Sequence, residues 1–378
     1  MNPIVAAVAA RGRVTFADFM ALALYHPEGG FYTRERSGAG PAGPRGDFLT
    51  APTATPLFAL TLALLLERLG GLLGQGVTFV ELGAGEGLLL EAVEAGLGEA
   101  RDAAVTRVVA VEVAQWARGR VRERCPRAEV VARLEDAPTP RGPVVLFASE
   151  LYDALPVHRV TVVRRAGELR LAEHHVEADG RGGLRLVVDE LSTDAIAHYL
   201  AAHAVVLEEG QIAEVRLGAE SLHRDHVRWC GTEGVALVLD YGYPARQLYN
   251  ARGRRRGTLV GYREHKSVED PLERPGEVDL TAHVNFDDLE RAAAACGWER
   301  GELRAVGSFL ALHGAVDLLP AAAASGAPLT AEEWAELATA KKLLVPAGMG
   351  ADLKVLAQGR GRAWHAYRKL ATPPLLEA

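Results

Sequence analysis

The chain is short of cysteine, of positive charge and of long apolar runs, and each shortage closes a class of function. Its three cysteines, Cys125, Cys230 and Cys296, lie far apart with no C-x-x-C spacing. They can build neither a disulfide framework nor a zinc site, so no metal is expected, and they fit a reducing compartment. The formal net charge is −7, from 42 Lys and Arg against 49 Asp and Glu. Nucleic acid calls for a basic face, so no nucleic-acid partner is expected. The one dense basic run, Arg252 to Arg256, is short and reads as a solvated loop. The most apolar stretch, Leu57 to Leu66, is interrupted by Thr61 and stops at Glu67-Arg68. It is too short to span a bilayer and reads as a buried helix, so no membrane insertion is expected. Met1 to Arg13 makes a poor signal peptide, with no basic residue before its apolar stretch. The expectation is a cytoplasmic protein.

What is present is globular: 378 residues, 49% hydrophobic and 24% charged, enough for one large core with inserts or for two lobes. The 40 glycines accompany many Ala and Arg residues, so an isolated glycine weighs little. Residues 14–25 read as a helix with Phe16, Phe19, Met20 and Leu24 on one face, ended by His26-Pro27. Gly29 to Gly46 is a Gly/Pro-rich loop, and a long apolar helix follows from about Pro56 to Leu73.

A β/α alternation begins at the strand Val77 to Glu81. Further strands are Arg107 to Glu112, a short one at Glu129 to Val131, Val144 to Ala148 and Val235 to Asp240. The last two are apolar throughout, as strands buried on both faces should be. The fold class is α/β, a Rossmann-like, doubly wound parallel sheet. Residues 159–192 interrupt the alternation with three strand-like segments, an antiparallel meander. Residues 308–345 are helical in pattern and precede a last strand, Leu353 to Ala357. The expected organisation is an N-terminal helical, Gly-rich cap segment over residues 1–75. A core over 76–378 follows, with inserts at about 159–232 and 308–345 that form a lid or substrate surface.

Glu81-Leu-Gly83-Ala-Gly85-Glu-Gly87 follows a strand and opens a helix. Its glycines let the backbone turn sharply and approach a ligand, and the helix start offers free N–H groups. A dinucleotide fingerprint would put its third glycine at position 88, which is Leu88. The pattern E-x-G-x-G-x-G instead resembles the first motif of class I methyltransferases. The cofactor expected is therefore S-adenosylmethionine (SAM) in preference to NAD, with Glu81 holding the ammonium of its amino-acid tail directly or through water. Glu112, ending the second strand, is placed to accept both ribose hydroxyls. Asp136, after the third, is placed to accept from the adenine amino group, or is an ordinary loop acid.

The fourth strand runs into Ser149-Glu150-Leu-Tyr152-Asp153-Ala-Leu-Pro156. Ligands of open α/β sheets bind beyond the carboxyl ends of the strands. Methyl transfer needs an oriented nucleophile and exclusion of water. Paired carboxylates suit a planar guanidinium, so Glu150 and Asp153 are the candidates to orient the acceptor, the alternative being helix-start acids. Asp240-Tyr241-Gly242-Tyr243 ends the fifth strand at the same edge. His265 and His283 read as structural residues, and Asp279 and Thr281 as caps for a helix beginning near Asn285.

The combination resembles the MidA family of SAM-dependent methyltransferases, which includes a mitochondrial factor for respiratory complex I assembly. The resemblance rests on Leu24 to Tyr32, Gly46 to Pro52, Glu81 to Gly87, Ser149 to Val157, Asp240 to Gly242, His265, Pro275-Gly276 with Asp279 to Phe286, and Pro346 to Leu356. It implies a class I methyltransferase fold with family-specific inserts, and, for the mitochondrial member, methylation of a protein arginine in a complex I subunit. It also places Asp47 on the cofactor side of the cleft. The chain departs from the family at Thr53, where Glu is usual, at Ala59, where Gly is frequent, and at Ser149, where Asn is common.

The expectation is thus a SAM-dependent methyltransferase acting on a protein side chain, arginine first, with a respiratory complex I-type subunit as one source. Glu81, Gly83, Gly85, Gly87, Glu112, Asp136, Ser149 and Asp47 would serve the cofactor; Glu150, Asp153 and Tyr241 would serve the reaction. A small-molecule methyltransferase and a non-catalytic assembly chaperone are the rival readings. The oligomeric state is open, a homodimer being one option.

Overall fold

The computed structural model describes residues 2–34, 40–41, 46, 50–319, 330–345 and 352–372. Helices α1 (Pro3–Arg11) and α2 (Phe16–Tyr25) precede the long apolar α3 (Pro56–Leu73). Then β1 (Val77–Leu82), α4 (Leu88–Leu97), β2 (Val105–Val111), α5 (Gln115–Arg124), β3 (Glu129–Val131) and β4 (Val144–Ser149) alternate. The antiparallel strands β5 (His158–Arg165), β6 (Glu168–Ala178), β7 (Leu184–Asp189) and β8 (Ile212–Val215) form a second sheet. The chain returns to the core through α6 (Ala219–Trp229), β9 (Gly234–Tyr243), α7 (Phe286–Ala295), β10 (Glu299–Ala305), β11 (Leu353–Arg360) and α8 (Gly361–Leu370).

The central sheet runs β10-β11-β9-β4-β1-β2-β3. Strands β9, β4, β1, β2 and β3 are parallel, whereas β11 is antiparallel to both its neighbours. The doubly wound sheet expected as parallel is parallel over these five strands and mixed at the β11 edge. β10 and β11 form a hairpin whose connection is the excursion over residues 306–352, and a hairpin return is antiparallel by construction. Sequence periodicity cannot register this, because a buried strand reads the same in either direction.

Alternate side chains of each strand enter two cores on opposite faces of the sheet. Phe79, Val145, Phe147, Leu237 and Leu239 face α3, α4 and α8. Val80, Val144, Leu146, Ala236 and Val238 face α6 and α7. Helix α3 is long and apolar enough to cross a membrane, yet ten of its 18 residues are buried, eight of them in the first of these cores.

Helix α2 starts at Phe16, two residues later than its periodicity suggests. Thr15 caps it: Asp18 N donates to Thr15 Oγ1 at 3.0 Å, and Thr15 N donates back to the Asp18 carboxylate at 3.3 Å. Val14 and Thr15 are extended and pair with Val176 and His175 of β6. Phe16, Phe19, Met20 and Phe31 then share a core with Ala154, Val157, Val176 and Leu280, beside the carboxyl end of β4.

Candidate functional site

The chain leaves β1 through Gly83, Gly85 and Gly87, whose φ angles are +70°, +52° and +80°, a region that L side chains avoid. Glu81 precedes them, 5% exposed. Burial, then repulsion from Glu112, pushes its carboxyl well above the ordinary range, and its Oε2 has no hydrogen-bond partner among the described residues. Glu112, just past β2, accepts from Gly85 N at 2.9 Å and from Ala114 N at 2.7 Å, one bond to each oxygen. Each oxygen keeps a second lone pair for a ligand hydroxyl. Burial raises its pKa, while these amides and Arg118 pull it back.

Glu81, Gly83, Gly85, Glu112, Ser149 and Glu150 line one cavity of about 700 Å³. That volume lies in the range of small-molecule sites. Two buried acceptors with no partner among the described residues, Glu81 Oε2 and Ser149 Oγ, border it. They suit the cationic amino-acid end of SAM. A cation there would restore the ionisation of Glu81 that burial opposes, which a diphosphate could not do.

On the far side of β4, Glu150 holds φ = +48°, an unusual conformation for a residue with a Cβ, and its Oε1 accepts from Ala51 N at 3.2 Å. The side chain is half-buried and lines the cavity. Burial, then Asp153, pushes its carboxyl up to about 8. Asp153 is buried, with Oδ1 unpartnered among the described residues; burial pushes it up to about 6 and Arg216 opposes the rise. Asp240 is fully buried and accepts from the amides of Tyr152, Asp153 and Tyr241, pinning the end of β4 to β9. Two tyrosines from the N-terminal segment reach over: Tyr25 OH donates to Ala154 O at 3.1 Å, and Tyr32 OH to Asp279 Oδ1 at 2.7 Å.

The buried guanidinium of Arg216 donates to four carbonyls, those of Asp153, Leu155, Ala282 and His283, at 2.7–3.2 Å. It thereby ties the β4 turn to the segment before α7. Arg216→Met is expected to destabilise the protein by about 3–5 kcal/mol, because it strands several buried acceptors at once. Arg216→Lys would recover only part, since an ammonium cannot match that fan of donors. Denaturant unfolding of both variants checks this; a loss under about 1 kcal/mol for the Met variant would refute it.

Not every residue expected at the site reaches the cavity wall. Gly87 sits behind it, against Val121. Asp153 and Tyr241 are within electrostatic reach of Glu150 but do not line the wall. Asp136 is turned into its own short turn, accepting from Arg133 N at 3.1 Å, and does not line it either. Asp47 lies outside the described residues. Asp279 and Thr281 belong to a strand; the cap of α7 is Asn285, which accepts from Asp287 N. Sequence reasoning missed Arg216, Tyr25 and Tyr32. Only the tyrosines had left a signal, in the Leu24 to Tyr32 string.

Residues 58–303 match the model of a family described as "Putative S-adenosyl-L-methionine-dependent methyltransferase". The mitochondrial protein arginine methyltransferase NDUFAF7 homolog of Drosophila melanogaster is 26% identical over 325 residues, spanning 77% of this chain and 69% of its own. Mitochondrial NDUFAF7 of Danio rerio is 24% identical over 316 residues, spanning 76% and 70%. A Burkholderia thailandensis crystal structure bound to S-adenosyl-homocysteine superposes with a TM-score of 0.80 at 27% identity, covering 95% of this chain and 92% of that one. The cytoplasmic expectation is overturned by these relatives, which are named mitochondrial. It rested on free cysteines and a weak N-terminal signal, and a reducing environment does not specify one compartment.

Proposed function

The chain belongs to this family of S-adenosyl-L-methionine-dependent methyltransferases, and from that premise we propose that its acceptor is an arginine side chain presented by a protein. The observation that carries this reading is the crowd of buried carboxylates at the ends of β4 and β9. Glu150, Asp153 and Asp240 lie within mutual electrostatic reach. The Arg216 guanidinium beside them spends its hydrogen bonds on carbonyls. Such a site holds carboxyls protonated when empty and regains ionisation when a cation enters. Bound SAM supplies the electrophilic methyl group. Glu150 accepts N–H bonds from the guanidinium, orients one nitrogen toward the methyl group and takes up the proton released on transfer. Asp153 backs Glu150 with negative charge, and Tyr25 and Tyr32 shield the reacting atoms from water. The names of the NDUFAF7 relatives support arginine as the acceptor. The MidA resemblance directs the search for its source to respiratory-complex subunits.

The test is incubation of the purified protein with methyl-labelled SAM and cell extract, then acid hydrolysis of the protein fraction. Label in methylarginine supports the proposal. Label confined to methyllysine or to the low-molecular-weight fraction refutes it.

A further inference from the structure

Beyond Glu112 the cavity continues past Ala132, Arg133, Leu134 and Glu135, above β3, and is closed by one face of α6. With the ribose at Glu112, this end receives the adenine ring. Its amino group needs an acceptor, and Asp136 is committed to its own turn. On the wall, Asp225 is exposed and loosely paired with Arg228 at 3.9 Å, so water competes for it. His226, from the next position of α6, is 8% exposed and also lines the cavity.

The hydrogen bonds behind His226 set its proton. Gln358 points its amide nitrogen at Leu289 O, which leaves its Oε1 facing His223 Nε2 at 2.8 Å. A carbonyl oxygen only accepts, so His223 carries its proton on Nε2 and offers a lone pair at Nδ1. Tyr152 OH, 2.8 Å from that Nδ1, therefore donates to it. Having spent its one hydrogen, the phenol oxygen can only accept from His226 Nδ1, 3.1 Å away. His226 is thus protonated on Nδ1 and presents Nε2 as a bare lone pair. Burial, reinforced by His223, lowers the His226 pKa to about 3, so the ring stays neutral at physiological pH.

We propose that His226 recognises the adenine of the cofactor, its Nε2 accepting from the N6 amino group, and that Gln358, His223 and Tyr152 are positioning residues that hold it in the accepting tautomer. The proposal rests on the cofactor assignment and not on the identity of the methyl acceptor. It explains a buried polar chain that links β11, α6 and the β4 turn, where apolar packing would otherwise serve. It also gives the structure a way to reject nucleosides with a carbonyl at position 6, whose oxygen would meet the Nε2 lone pair.

Two measurements test it. Long-range ¹H–¹⁵N NMR of the labelled wild-type protein reads which ring nitrogen of His226 is protonated. The expected answer is Nδ1; a proton on Nε2 overturns the proposal. Calorimetric titration then compares S-adenosylhomocysteine with S-inosylhomocysteine, in which a carbonyl replaces the amino group. The wild type should prefer the adenosine compound by about 100-fold. His226→Leu should weaken the adenosine compound by about tenfold or more and bind the inosine compound as tightly as the wild type or more tightly, since the opposing lone pair is gone, and His226→Gln, which retains an acceptor, should restore part of the preference. Tyr152→Phe should weaken the adenosine compound a few-fold and shift the His226 tautomer signal. Equal losses for both nucleosides in His226→Leu would reduce His226 to a packing role and overturn the proposal. A wild-type protein that binds neither compound overturns the cofactor assignment along with it.

Discussion

Gly85→Val is expected to weaken S-adenosylmethionine and S-adenosylhomocysteine binding by at least about 100-fold, while the melting temperature falls by no more than a few degrees. At φ = +52° a β-branched residue is strained, by about 1–3 kcal/mol. A Cβ placed on Gly85 meets no protein atom within 4 Å, so the fold has room for it. The space it enters is the cavity, which Gly85 lines. The Gly85 amide also donates to Glu112, so moving the backbone to relieve the strain would displace the carboxylate proposed to accept the ribose hydroxyls. Calorimetry with both compounds, with NADH in parallel, checks this. The wild type should bind the first two and not NADH. Wild-type affinity for S-adenosylhomocysteine in the variant would remove the glycine turn from the cofactor site.

Glu150→Gln should slow methyl transfer by at least about 100-fold while S-adenosylhomocysteine affinity stays within a few-fold. The amide keeps the shape and the acceptor facing Ala51 N, but it can neither carry charge nor take a proton. The same substitution should raise stability in alkaline solution. In the folded protein the Glu150 carboxyl titrates near 8, against 4.5 ordinarily. Between those values the native state holds a proton that the unfolded chain has released, so wild-type stability falls as pH rises through this window. The glutamine variant lacks that penalty. Its advantage in melting temperature should grow from about pH 5 to about pH 8 and then level off. Water reaching the cavity reduces the size of the effect and leaves its sign unchanged. Single-turnover transfer assays and melting curves across pH give the two readings. Unimpaired transfer would remove Glu150 from the reaction, whatever the melting curves show.

Much of the cavity wall proposed for the cofactor was legible because its cues are local. Glu81 and the three glycines lie within seven residues, and Glu112 ends the next strand of a strongly periodic alternation. Asp136 shows the limit of local reading. Its position after β3 is that of an adenine acceptor, but the Leu134–Asp136 turn folds its carboxylate back onto Arg133. The acceptor side was legible only in part. Glu150 and Asp153 stood out as acids after a buried strand, but nothing near Arg216 announced that its guanidinium would hold carbonyls more than 60 positions away in both directions.

By itself the amino-acid sequence determined the α/β class, the strand ends and the glycine turn, because burial periodicity and backbone freedom act between neighbouring residues. Tertiary structure alone decided the antiparallel β11, the burial that raises Glu150 and the pinning of β4 by Asp240 and Arg216. It also decided the hydrogen-bonded chain running from Gln358 through His223 and Tyr152 to His226. Those features depend on desolvation and on hydrogen bonds between distant segments, and neither exists until the sheet has brought the segments together.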